Sequence, residues 1–129
     1  MSALDTVKAA YAAFAKNDPS ALFGAMDPAI VWKEAEGSPL ADGNPYTGPA
    51  AIGGMFGRLL AAVDNFTVVP DTYIDGGDRL AVVGRYAGRM KSGGAPLDAQ
   101  FCHVYQFRDG KIVAFQQFTD TAQWARLMP

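Results

Sequence analysis

The chain reads DAQFCHVYQFRDGKIVAFQQFTDT from Asp98 to Thr121. Two apolar-rich runs with β-branched and aromatic residues flank Arg108-Asp109-Gly110-Lys111, which is a strong hairpin signal. The first run holds His103, the only histidine, and the second ends at Asp120, where strand gives way to a short helix. A pocket is expected there. The register of the hairpin decides which side chains share a face, because a slip of one residue reverses them all. A two-residue turn at Asp109-Gly110 sets His103 opposite Gln116 and groups Phe101, His103, Tyr105, Ala114, Phe118 and Asp120. A three-residue turn with Gly110 left-handed sets His103 opposite Phe115 and groups Phe101, His103, Tyr105, Val113, Phe115, Gln117 and Thr119. The second is preferred: Arg-Asp-Gly suits a type I turn followed by a glycine bulge, and its inner face is more apolar. It turns Asp120 inward only if the strand bends or bulges at its end.

Upstream of this hairpin, strand-like runs at 66–75 and 79–90 are punctuated by Asp75-Gly76-Gly77-Asp78 and Ser92-Gly93-Gly94. With 97–108 and 111–119 they make a meander of antiparallel hairpins. The first half is helical. Leu4, Val7, Tyr11 and Phe14 recur at three- and four-residue spacing, predicting an amphipathic helix over 4–16 with these four inward. Asp18-Pro19 caps and opens a second, short helix towards Met26. A first strand follows over 29–35, with Ile30, Trp32 and Glu34 on one side. The Gly-, Pro- and Asn-rich segment EGSPLADGNPYTGP then reads as a long surface loop without regular structure, rimming a site. Pro49 opens a third helix to about Val63, with Ile52, Met55, Phe56, Leu59, Leu60 and Val63 as its buried stripe. Helices first and antiparallel strands afterwards imply an α+β layer pair.

At 129 residues the chain is expected to be one domain, 1–129, with half its residues hydrophobic and a net charge of −2. That charge, with both signs interspersed, points away from nucleic acid and anionic membranes as partners. The lone Cys102 excludes an internal disulfide. The N-terminal residues lack the features of a signal peptide and no apolar run is long enough for a membrane span, so a cytoplasmic location is expected. No metal and no cofactor are expected. One histidine without clustered acids makes no metal site, and Gly53-Gly54 lies within a helix rather than a phosphate loop.

Three phrases, VWKEAEGSPLADGNPYTGPAAI (31–52), DGGDRLAVVGRYAGR (75–89) and FCHVYQFRDGKIVAFQQFTDT (101–121), resemble the SnoaL-like group of the nuclear transport factor 2-like superfamily. That group includes ketosteroid isomerases, polyketide cyclases and limonene epoxide hydrolases. The resemblance implies a cystatin-like fold: a cone-shaped, curved antiparallel sheet wrapped around N-terminal helices, with a deep pocket between them. It implies Glu34 near the isomerase's catalytic carboxylate, against a wall supplied by Trp32, with Glu36 a weaker candidate. It implies His103 at the place of the donor to a developing enolate oxygen, and Asp120 at the acid–base aspartate of the cyclases. Asp120 also reads as a cap for the following helix, and a strand-end Glu34 also reads as a solvated carboxylate. The family departures are specific. Phe14 stands where the isomerase has its oxyanion tyrosine, with Tyr11 three residues away, and Arg85 and Arg89 lack the partner acid of the epoxide hydrolases.

Tyr46, Phe56, Tyr86, Phe101, Tyr105, Phe115 and Gln117 complete the candidate pocket, which suits a small, mostly apolar ligand bearing a carbonyl or hydroxyl. The function expected is cofactor-independent acid–base catalysis of the isomerase or cyclase type. A non-catalytic ligand-binding protein and a homodimeric interaction scaffold are the alternatives, with Ala114, Gln116 and Phe118 on the convex face. Homodimerisation is implied by the resemblance.

Overall fold

The computed structural model describes every residue, Met1–Pro129. Helix α1 (Ala3–Phe14) starts at Ser2, whose hydroxyl accepts from Asp5 N while the Asp5 carboxylate accepts from Ser2 N, a reciprocal cap. Val7, Ala10 and Tyr11 are its buried stripe, with Leu4 and Phe14 half-buried beside them. Helix α2 (Ser20–Gly24) follows, with the Asp18 side chain accepting from Ser20 N. Strand β1 (Met26–Lys33) leads to a segment that is more ordered than its composition suggests. Within it are a 3-10 turn (Pro39–Gly43) and the two-residue strand β2 (Tyr46–Thr47). The expectation of a loop without regular elements is therefore corrected. Leu40 and Tyr46 are buried there, and anchoring two large side chains fixes the backbone between them.

Helix α3 (Pro49–Ala62) then gives way to strands β3 (Val63–Asp75), β4 (Arg79–Met90), β5 (Pro96–Arg108) and β6 (Lys111–Thr119), and a short helix α4 (Thr121–Leu127) ends the fold. The strand order is β2-β1-β6-β5-β4-β3, so the sheet has two free edges and does not close. Every pairing is antiparallel except β1 with β6, which run parallel. Bulges in β3–β4, β5–β6 and β1–β6 break the register and bend the sheet. The helices cover the concave face, and one hydrophobic cluster fills the space between. Gly84 makes one close approach possible: a Cβ there would collide with the Val69 carbonyl oxygen and the Phe101 ring.

The β5–β6 hairpin follows neither of the two registers expected. Asp109 and Gly110 form a two-residue turn with φ of 52° and 75°, both left-handed, which matches the strand twist. A bulge then adds a residue to β6, since Phe107 pairs with Ile112 but Gln106 pairs with Ala114. His103 consequently lies opposite Gln117, and Tyr105 opposite Phe115. The bulge keeps Phe101, His103, Tyr105, Phe115 and Gln117 on the inner face while Ile112, not Val113, is buried beside the turn.

Candidate functional site

Glu34 lies just past the end of β1, on the same face as Ile30 and Trp32, and is only 4% exposed. Two side chains from elsewhere hold its backbone. Asn44 accepts from Glu34 N at 2.9 Å and donates to Glu34 O at 2.8 Å, imitating a strand partner, and Gln117 Oε1 accepts from Ala35 N at 3.1 Å. The carboxylate is thereby turned inward, where Trp32 Nε1 donates to Oε2 at 2.9 Å. Burial raises its pKa from 4.5 to about 7, and the indole hydrogen bond offsets part of that rise.

His103 sits deeper, stacked on Phe101 with ring centroids 4.0 Å apart. Both of its nitrogens are engaged: Nδ1 with the Tyr11 hydroxyl at 2.6 Å and Nε2 with the Tyr86 hydroxyl at 2.5 Å. Tyr105 extends the chain to Tyr11 at 2.8 Å, and Gln117 Nε2 donates to Tyr86 at 2.8 Å. Burial lowers the His103 pKa to about 3 and raises those of Tyr11, Tyr86 and Tyr105 above the usual phenol value. Near neutral pH the whole chain is uncharged. His103, expected as a donor or acid, has both ring nitrogens facing phenols, and burial holds the ring neutral near pH 7.

These groups border a cavity of about 60 Å³ with mostly hydrophobic walls. Of the candidates named from sequence, Phe14, Trp32, Glu34, Phe56, Tyr86, His103, Tyr105, Phe115 and Gln117 line it. Three do not. Phe101 is buried behind His103. Tyr46 packs outside, donating to Leu40 O and accepting from Arg58 Nη2. Asp120 caps α4, its two carboxylate oxygens accepting from Gln123 N and Nε2 at 3.2 Å each. Of its two readings, helix capping is the one the geometry supplies. Asp120→Ala is expected to cost about 1 kcal/mol in chemical denaturation while leaving the Glu34 titration unchanged.

Sequence reasoning left Tyr11 outside the site proper, although its place on the α1 stripe predicted an inward side chain. Leu22, Leu40, Phe66, Val68 and Trp124 also line the cavity without having been singled out, and Leu59 lines it from the expected stripe of α3. Asn44, which clamps Glu34, carried no signal beyond its place in a turn-rich segment. Arg85 faces the opposite side of the sheet, paired with Asp98 at 2.7 Å, and Arg89 donates to Gly94 O.

The SnoaL-like domain profile matches residues 7–115, most of the chain. The chain belongs to the SnoaL-like domain family. An NTF2-like protein from Burkholderia thailandensis is 35% identical over 100% of this chain and 98% of that one, with a TM-score of 0.92. A second NTF2-like protein, of unknown function, from Burkholderia pseudomallei is 27% identical over 97% and 95% of the two chains, with a TM-score of 0.87. A putative SnoaL-like polyketide cyclase from Jannaschia sp. superposes with a TM-score of 0.80 over 98% of this chain and 92% of its own, at 17% identity, a likeness of fold. None of the curated proteins matches the sequence. The SnoaL-like fold accounts for the cone-shaped α+β architecture and for a cavity between sheet and helices. No helix is long and apolar enough to cross a membrane.

Proposed function

We propose that this SnoaL-like protein is a cofactor-independent acid–base enzyme acting on a small hydrophobic carbonyl compound, by an isomerase- or cyclase-type reaction. The observation that carries this reading is Glu34: a buried carboxylate, with a pKa of about 7, that borders an apolar cavity beside neutral phenols. A base poised near the working pH combines a useful ionised fraction with real basicity. Glu34 takes a proton from the carbon beside the carbonyl, the electron pair moves onto the carbonyl oxygen, and a phenol donates to that oxygen. Return of the proton to the same or a neighbouring carbon completes exchange or isomerisation.

The test is deuterium incorporation into small cyclic ketones such as 2-tetralone in D2O, followed by mass spectrometry across pH. The rate is expected to rise with pH to a plateau, with its midpoint near 7. Ionised Glu34 is the active form, and the surrounding His103, Tyr11, Tyr86 and Tyr105 do not change charge between pH 5 and 9. Exchange no faster than in Glu34→Gln would overturn the enzyme and leave a ligand-binding protein.

We also propose that two copies pair through the convex face. Val69, Ile74 and Phe118 are each more than half exposed there, and Val83, Cys102 and Phe118 stand in register across three strands as an apolar row. Phe118→Glu is expected to shift the mass in light scattering from dimer to monomer. An unchanged mass sinks the pairing.

A further inference from the structure

The hydrogen-bonded chain Tyr105–Tyr11–His103–Tyr86 contains four groups, each with one proton to donate when neutral, and three links between them. Each link uses one proton, so one donor is always left over. Histidine cannot be that group, because its N–H lies on one of two nitrogens that both face a phenol. Three arrangements remain. With the proton on Nδ1, Tyr86 donates to Nε2 and the surplus hydroxyl is that of Tyr11 or Tyr105. With the proton on Nε2, Tyr11 donates to Nδ1 and the surplus hydroxyl is that of Tyr86.

Two further contacts separate these cases. The Gln117 amide cannot turn over, because its Oε1 accepts from Ala35 N, so its NH2 must face Tyr86 and donate to it. The Tyr86 oxygen is therefore already an acceptor, and its proton cannot go to Gln117. Gln117 bridges Tyr86 to Ala35, the residue next to Glu34, so Tyr86 is the phenol tied to the side of the cavity where Glu34, the only ionisable carboxyl in the wall, stands, and the field of Glu34 acts on it. A carboxylate attracts the positive end of a free O–H dipole, which favours leaving the surplus proton on Tyr86. A second unpartnered donor borders the same space. Trp124 Nε1, on a side chain 2% exposed, has no hydrogen-bond partner, and its ring meets that of Tyr86 edge-on with centroids 5.7 Å apart. The cavity thus offers surplus donors but no cationic side chain.

We infer that His103 is a positioning residue held as its Nε2–H tautomer, which presents the Tyr86 hydroxyl proton to an uncharged carbonyl oxygen of the ligand, with Trp124 Nε1 as a second donor. The donor of this site comes from β4 rather than from the first helix, where Phe14 offers none. A carboxylate ligand is disfavoured, because its charge would meet Glu34 without a compensating cation. The nature of the ligand oxygen rests on the proposed function; the tautomer does not.

Because His103 is the only histidine, protein labelled with [15N]histidine gives one imidazole nitrogen pair, whose shifts and couplings identify the protonated nitrogen. The wild type is expected to show a protonated Nε2 and a bare Nδ1 at pH 8, where Glu34 is ionised. Tyr11→Phe is expected to keep that pattern, and Tyr86→Phe to invert it, since Nε2 then has no acceptor while Nδ1 still faces Tyr11. A wild-type Nδ1–H tautomer, an imidazolium, or a pattern unmoved by Tyr86→Phe overturns the inference. In the ketone exchange assay Tyr86→Phe is expected to slow turnover roughly a hundredfold or more, the usual effect of losing such a donor. Exchange lost in Glu34→Gln together with an Nδ1–H tautomer removes the inference and spares the enzyme. An Nε2–H tautomer with no exchange of any ketone removes the enzyme and supports the tautomer.

Discussion

Glu34→Gln is expected to do two opposite things at once. It should lower the exchange rate by roughly 10²–10⁴-fold, the usual contribution of a positioned base. It should also make the protein more stable than the wild type at pH 8, by about 1–3 kcal/mol. The second effect follows from the sign of the shift. Glu34 ionises near pH 7 in the folded state and near 4.5 when unfolded. Its favourable contribution is complete below pH 4.5 and is lost as pH rises through 7, where folding must carry a buried charge that glutamine lacks. Denaturant titrations of both proteins at pH 5 and pH 8 check this: the difference should be large only at the higher pH. Equal stabilities at pH 8 would mean that Glu34 ionises as an ordinary carboxylate, and the base assigned to it would go with it.

The second large effect is expected at His103. His103→Ala removes a ring stacked on Phe101 and leaves the hydroxyls of Tyr11 and Tyr86 facing a void. Each stranded group costs about 1–3 kcal/mol, so a total of about 3–5 kcal/mol is expected in chemical denaturation, with a fall in Tm of roughly 10–20 °C. The pH dependence again has a definite sign. His103 titrates near 3 when folded and near 6.5 when unfolded, so in the wild type it makes stability fall as pH drops from 6.5 to 3. Glu34 has the opposite slope between 4.5 and 7, and the two oppose each other where they overlap. His103→Ala should therefore expose the Glu34 slope, with stability declining steadily from pH 4.5 to 7. Stability that stays level through that range would contradict the assigned shifts.

The order of helices and strands was legible because hydrophobic period and glycine-rich turns are local properties. The strand limits at 79–90 and 111–119 follow from them directly. Register was less legible: nothing in Lys111-Ile112-Val113 announces the bulge that returns Phe115 and Gln117 to the inner face. The parallel pairing of β1 with β6 was not legible at all, since alternation says which face a residue takes but not which strand lies beside it. The same limit applied to the site. Trp32 and His103 were recognisable as pocket candidates and Glu34 was left between pocket and solvent, because the partners that define their chemistry come from distant segments. Asp120 shows the converse: an acid at a strand–helix junction satisfies a local capping rule, and that rule describes its contacts in the structure.

The distances along the chain between those partners have a consequence for assembly. Tyr11 meets His103 across 92 residues, Tyr105 across 94, and Ala35 meets Gln117 across 82. Closing such long segments carries a large entropic cost before any contact offsets it. On a ribosome, a chain that has released α1 through β4 has no imidazole in its cavity and no Gln117 to fix the backbone beside Glu34. The site cannot exist in part. It needs β5 and β6 in place, so a truncated product of synthesis would carry the carboxylate without the environment that makes it a base.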